Sequence, residues 1–228
     1  MGKNKLERFS EIGEFDHVYE LTDFEEGVDK PGGRWHSEIF GNNHPITLEL
    51  ACGKGEYTLA LAERFPGINV IGIDIKGARI WKGAKRALKK DLDNVRFLRI
   101  YIDHLDQYFD RNEVDEIWIT FPDPYPRYSK RNKRLTAPKF LKIYQRVLKP
   151  EGKIHLKTDS RQLYEFSLEK LDETGCHIEQ RIEDIYQEDP EDPLLTIRTY
   201  YEKKHLEAGK AISYLRFTLP QVPLNNVS

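Results

Sequence analysis

Beyond Pro45 the chain settles into a regular exchange of two patterns. Short apolar runs with strand composition alternate with longer stretches whose apolar residues recur at helical spacing. The runs predict strands over 46–50, 70–73, 95–100, 116–120, 153–156, 177–186 and 214–219. Between them, helical spacing predicts helices over 57–65, 76–89, 138–148, 160–172 and 200–208. Pro138 suits the first turn of its helix, Gly175 ends another, and Pro150-Glu151-Gly152 reads as a stop before the fifth strand. Strands and helices in alternation specify an α/β domain, a doubly wound, mostly parallel sheet with helices on both faces. That domain is expected over 45–220. Residues 1–44 lack a sustained period and contain the breaker cluster Lys30-Pro31-Gly32-Gly33, so they read as an N-terminal extension, partly flexible, with Trp35 and Phe40 as docking side chains. Residues 221–228 read as a frayed C-terminal tail.

Right-handed crossovers put the carboxyl ends of parallel strands on one edge of the sheet. That edge collects Glu49 with Gly53 and Gly55, then Asp74, Asp103, Asp123 and Asp159. A Gly-x-Gly turn after the first strand and an acid after the second are common to dinucleotide sites and S-adenosylmethionine (SAM) sites. The dinucleotide fingerprint wants a third small residue where this chain has Thr58. Several carboxylates also suit a cationic sulfonium better than a doubly anionic pyrophosphate. The plain alternative is a set of solvated strand ends. Glu49 argues against it, because a carboxylate inside a parallel strand is costly to bury alone. Cys52 has no basic neighbourhood and reads as a packing residue.

One stretch changes character abruptly. Ile117-Trp118-Ile119 is a buried strand in composition, and it runs into Phe121-Pro122-Asp123-Pro124-Tyr125-Pro126. The prolines remove backbone donors and bias their predecessors towards extended geometry, so Asp123 is clamped in a stiff, non-helical turn. Arg127, Tyr128, Ser129, Lys130, Arg131, Asn132, Lys133 and Arg134 follow at once. A cationic loop usually just faces water. Directly after a carboxylate held at a strand end, it reads instead as a phosphate-binding arm.

Composition narrows the classes. With 39% hydrophobic and 32% charged residues the chain is globular, and no apolar run approaches the ~20 residues that span a bilayer. No apolar core follows the charges of Met1 to Ser10, so no secretory signal is expected, and two cysteines in unlike contexts point to a reduced, cytoplasmic protein. A net charge of −2 excludes indiscriminate polyanion binding but leaves room for a local basic face, because acid-rich segments such as Glu188 to Asp192 offset it. No His/Cys cluster has metal-ligand spacing, so no metal is expected.

Glu49-Leu50-Ala51-Cys52-Gly53-Lys54-Gly55, Phe121-Pro122-Asp123-Pro124-Tyr125, the basic run to Arg134, Lys157-Thr158-Asp159 and Thr199-Tyr200-Tyr201-Glu202 together resemble the bacterial tRNA (guanine-N7-)-methyltransferases. The resemblance runs from about Pro45 to Phe217. It implies a Rossmann-like fold of the seven-stranded class I methyltransferase type and transfer of a methyl group from SAM to N7 of a guanosine at tRNA position 46, leaving S-adenosylhomocysteine. It implies that Glu49, Gly53, Gly55, Asp74, Asp103 and Asp123 hold SAM, with Asp123 also at the catalytic centre. Arg127, Asp159, Thr199, Tyr200, Tyr201 and Glu202 would contact substrate, and Ser129, Lys130, Arg131, Asn132, Lys133 and Arg134 would touch RNA. Tyr125 and Arg127 stand where the family usually has Trp and Lys, keeping aromatic and cationic character. From the residues alone, Thr199 and Glu202 also read as a helix cap and its capping box. The partner implied is tRNA, with no membrane and no obligate protein partner. Three rivals remain at this point: a SAM enzyme acting on another RNA base or a small molecule, a catalytically silent RNA-binding module on the same fold, and a nicotinamide-dependent dehydrogenase.

Overall fold

The computed structural model describes residues 11–21, 29–188 and 192–224. The decapeptide Met1 to Ser10, the middle of the acid-rich segment Glu188 to Asp192 and the last four residues of the tail lie outside the described residues. Eight strands are described: β1 (Val18–Glu20), β2 (Ile46–Leu50), β3 (Asn69–Ile73), β4 (Val95–Arg99), β5 (Val114–Thr120), β6 (Leu148–Thr158), β7 (His177–Ile182) and β8 (Ser213–Thr218). Five α-helices lie among them: α1 (Glu56–Arg64), α2 (Gly77–Lys89), α3 (Pro138–Val147), α4 (Arg161–Glu173) and α5 (Tyr200–Glu207).

The strands form one sheet in the order β1-β4-β3-β2-β5-β6-β8-β7. Pairing is parallel throughout except for β8, which runs antiparallel to both β6 and β7. Every residue of β2 and β3 is buried, as expected for central parallel strands covered on both faces. From β2 the order runs outward through β3 and β4 on one side and through β5 and β6 on the other, so β2 and β5 meet at the point where open α/β sheets leave a crevice for ligands. Two apolar cores lie on opposite faces, one containing Trp35, Leu48, Ile117, Phe140 and Tyr144, the other Tyr57, Val70, Phe97, Trp118 and Tyr214.

Three readings of the chain are corrected. The sheet has an eighth strand, β1, contributed by the extension and paired in parallel with β4 through Val18 and Phe97. With three half-buried residues it is too short to show an alternating pattern. The Pro150-Glu151-Gly152 stop falls within β6, which starts at Leu148; Glu151 takes φ 63° and the pairing with β5 slips between Val114 and Glu116. A proline is tolerated there because the ladder is already interrupted. β7 ends at Ile182, four residues earlier than its apolar content suggested.

Trp35 opens a six-residue π-helical turn, Trp35–Phe40, and is fully buried. Its ring stacks on Phe109 at 5.0 Å and its indole N–H donates to the Tyr108 carbonyl at 2.8 Å. Trp35→Ala is therefore expected to cost about 3–5 kcal/mol, read as a lowered urea midpoint. A wild-type midpoint would mean that this turn is not part of the cooperative unit.

Candidate functional site

At the carboxyl edge of the sheet, between the ends of β2, β3 and β5, lies a cleft of ≈ 470 Å³ lined by Asp74, Lys76, Arg79, Tyr101, Asp103, Phe121, Asp123, Tyr125, Lys133 and Lys139 among others. A recess of ≈ 60 Å³ adjoins it, with Glu49, Gly53, Lys54, Thr120, Thr199, Tyr200 and Tyr201 in its walls. Ala51, Arg79 and Phe121 line both, so the two are continuous. A larger groove of ≈ 530 Å³, walled by Arg111, Lys142 and Lys149, receives none of the expected site residues.

Three strained backbone positions line the cleft. Ala51, Phe121 and Tyr125 have φ of 57°, 49° and 40°, in the left-handed region that residues with a Cβ seldom enter. Each costs about 1–3 kcal/mol and persists only where the surroundings enforce it, and such residues gather at ligand sites. Here two of them bracket Pro122-Asp123-Pro124.

The glycine turn and the first two acids form one rigid unit. Asp74, just after β3, accepts the Gly53 N–H at 3.0 Å on one oxygen and the Lys76 N–H at 2.8 Å on the other. Gly53 takes φ 58° and has no side chain in contact with the position its Cβ would occupy. Gly55 differs: a Cβ there would lie 2.7 Å from the Phe97 ring, and Gly55 does not line the cleft or the recess. Gly55, expected to hold the cofactor, is placed against Phe97 at the start of α1. Glu49 is 2% exposed and accepts the Thr58 N–H at 2.8 Å, the Thr58 hydroxyl, and the Thr120 hydroxyl at 2.6 Å. Burial outweighs these donors and pushes its carboxyl up to about 7.

The Pro-Asp-Pro turn is tied down through its carbonyls, since its prolines offer no donors. Arg134 Nε donates to the Pro124 carbonyl and its terminal nitrogen to the Tyr125 carbonyl, both at 3.0 Å, while Gln162 donates to the Pro126 carbonyl at 3.1 Å. Arg134 is buried against the Phe166 ring. The guanidinium, expected to touch RNA, is turned inward and donates to the turn. Ser129, Lys130, Arg131, Asn132 and Lys133 lie in a short helical turn, Tyr128–Lys133, with no buried residue, as does Arg127 in front of it. Arg131 stacks over the 77% exposed ring of Tyr128 at 3.9 Å, and Lys133 reaches the cleft. Asp103 pairs with Lys139. Asp123 accepts no hydrogen bond from the described residues, unlike Glu49, Asp74, Asp103 and Asp159.

On the other side of β2, Thr199 caps α5 by accepting the Glu202 N–H at 3.2 Å, and Glu202 completes the capping box. Glu202 is fully buried; it pairs with Lys157 at 2.9 Å and accepts the Tyr186 hydroxyl at 2.9 Å. These partners hold its carboxylate, expected to contact substrate, inside the protein behind the recess. Asp159, expected to contact substrate, is held by Lys210 at 2.6 Å and His205 at 3.2 Å and lines neither cavity. Tyr200 and Tyr201 are exposed at the recess, with Lys54 4.4 Å from the Tyr200 ring. Sequence reasoning missed Arg79, Tyr101 and Lys139 on the cleft and the two threonines that hold Glu49; only the placement of Arg79 one turn after Asp74 offered a signal.

A family model described as "Putative methyltransferase" matches residues 43–215. The chain is 44% identical over 225 residues to a tRNA (guanine-N(7)-)-methyltransferase of Bacteroides thetaiotaomicron, covering 97% of this chain and 88% of that protein. It is 48% identical to one from Christiangramia forsetii, covering 95% and 98%. Among solved structures, the 16S rRNA methyltransferase KamB superposes with a TM-score of 0.62 at 14% identity, over 81% of this chain and 92% of that one. The sheet order and the cleft at its switch point are those of the class I, Rossmann-like methyltransferases. Within that class, the chain belongs to the tRNA (guanine-N7-)-methyltransferase family.

Glu49 makes stability depend on pH. Its folded value of about 7 lies above the unfolded value of 4.5, so the folded state keeps the proton longer and stability falls as pH rises between the two. Against Glu49→Gln, the wild type is expected to lose about 3 kcal/mol across that window and none above it, by urea unfolding at each pH. Parallel pH profiles for the two proteins would show an ordinary carboxylate. In the basic run, Arg131→Gln is expected to weaken tRNA binding and leave the urea midpoint unchanged. Arg134→Gln, which strips donors from two carbonyls, should lower stability by roughly 2 kcal/mol or more; the opposite pattern would return Arg134 to the RNA surface.

Proposed function

We propose that the protein transfers a methyl group from SAM to N7 of a guanine in tRNA, in the variable loop at position 46, and does so in the cytoplasm. The observation that carries this reading is that Asp74, Asp103 and Asp123, from the ends of three strands, open onto one cleft beside an exposed cationic turn. The cleft has the size of a cofactor site and its acids suit a cation. When bound, SAM supplies an electrophilic methyl group on a sulfonium.

In this reading Asp74, already oriented by the Gly53 and Lys76 amides, accepts from ribose hydroxyls. Glu49 acts behind it, fixing the start of α1 through Thr58 and the end of β5 through Thr120. Thr199, Tyr200 and Tyr201 hold the guanine side of the recess, and Lys130, Arg131 and Lys133 hold phosphates. Guanine N7 carries a lone pair and no proton, so no strong base is required; alignment is, and alignment is worth ~7–11 kcal/mol. Asp123, whose carboxylate is uncommitted and whose turn is pinned by Arg134, is the aligning acceptor and offsets the positive charge that develops on the alkylated purine.

The test is incubation of unmodified tRNA with labelled SAM followed by nucleoside analysis. Label is expected in N7-methylguanosine, absent when the variable-loop guanosine is replaced, and Asp123→Ala is expected to lower kcat roughly 10²-fold or more while the protein stays folded. Label in a different nucleoside would make this a methyltransferase of another RNA base, and full activity in Asp123→Ala would remove Asp123 from the centre.

A further inference from the structure

The helix α2 carries five cations, with Lys76 just before it and Lys90 just after it, and they divide by what they face. Arg86 pairs with Glu56 at 3.7 Å and Lys90, just after the helix, pairs with Glu63, both carboxylates belonging to α1. Lys82, Lys85 and Lys89 have no carboxylate partner among the described residues; Lys85 lies 5.1 Å from the Trp81 ring of its own helix. Their i, i+3, i+7 spacing puts them within about 60° of one another on the helix surface, opposite buried Ile80, Ala84 and Ala87. Arg79 continues the row into the cleft, which Lys76 also lines.

We propose that this outward row of α2 is a second phosphate-binding surface, which holds a double-helical stem of the same tRNA whose unpaired guanosine enters the cleft. The proposal rests on the reading of the substrate given above. Two features favour an RNA stem over plain solvation. Glu56 and Glu63 are paired with Arg86 and Lys90, and Glu11 accepts from the Trp81 indole, so the three lysines keep their charge on a chain whose net charge is −2. The row also extends ~15 Å from Arg79 to Lys89 at the helical rise, beyond the reach of a single nucleotide in the cleft but not of a stem. The turn at Tyr128–Lys133 meets the same cleft through Lys133, and the row on α2 meets it through Arg79, so two cationic arms flank one opening. A rigid helix supplies fixed phosphate contacts, and such contacts set register rather than read bases.

The full chain is tested by tRNA binding over roughly 50 to 200 mM salt. Lys82→Gln/Lys85→Gln/Lys89→Gln is expected to lower affinity roughly tenfold and to make the slope of log affinity against log salt shallower by roughly two to three. SAM affinity, by calorimetry, is expected to be unchanged. Binding of a short single-stranded RNA with the variable-loop sequence is expected to be unaffected. The same neutralisation at Arg111, Lys142 and Lys149, on the opposite groove, is expected to leave tRNA binding as it was. An unchanged salt slope, an equal loss on the single-stranded RNA, or an equal loss in the opposite-groove variant would each overturn the assignment. Methylation of a base other than guanine at N7 would sink the reading of the reaction alone, because the binding slopes report on α2 regardless.

Discussion

A single ammonium group organises one whole side of the cleft. Lys157, near the end of β6, is fully buried, donates to the Leu195 carbonyl at 2.7 Å and the Ile197 carbonyl at 3.3 Å, and pairs with Glu202. Burial lowers its pKa while the Glu202 carboxylate opposes the shift. An ion pair so dry is weak as net stabilisation, yet removing one partner leaves an uncompensated charge at a cost of ~3–5 kcal/mol. The pair is therefore best understood as a fixing device. It fastens the loop before α5 to the sheet, and with it the cap at Thr199 and the two tyrosines at the recess. Tyr57 and Arg64 secure the same loop from α1 through the Leu194 and Pro193 carbonyls.

Opposite this arrangement stands a turn held by the reverse logic. The Lys157 ammonium collects carbonyls inside the protein; the Arg134 guanidinium collects them from the back of a strained surface turn. In both cases a cation has been withdrawn from solvent to hold backbone whose own donors are missing or misdirected. Once those supports are in place, the left-handed φ values of Phe121 and Tyr125 are sustained by the packing around them, and Asp123 is presented without a partner of its own.

The elements that bury whole strands were legible from the chain. Apolar runs such as Val70 to Ile73 and the alternation around them specify the sheet, and the crossover rule then brings Asp74, Asp103 and Asp123 to one rim. What sequence could not resolve was which polar groups are spent on the protein itself. Arg134 looks like Arg131 in a cationic run, yet one is buried and the other lies on an exposed Tyr; the difference is set by Phe166, which is remote in the chain. Glu202 and Asp159 sit in motifs that suggest substrate contact, but their partners come from β6, α5 and Lys210. Gly55 shares a motif with Gly53 and answers to the ring of Phe97. The strand β1 escaped because an edge of three residues gains its hydrogen bonds from Phe97 and its neighbours rather than from any pattern of its own.

The reversal of β8 has a consequence for how such a domain diversifies. Because β7 finishes and β8 starts at the same rim, the chain from Glu183 to Ile212 is an excursion that departs from and returns to one place, with no need to cross the sheet. Its ends are thus fixed at the rim, while Lys157 and Tyr57 fasten its middle to β6 and α1. Exchanges at its exposed side chains, such as Tyr200 and Tyr201, would rewrite what the rim accepts while the contacts of Asp74 and Glu49 stayed as they are.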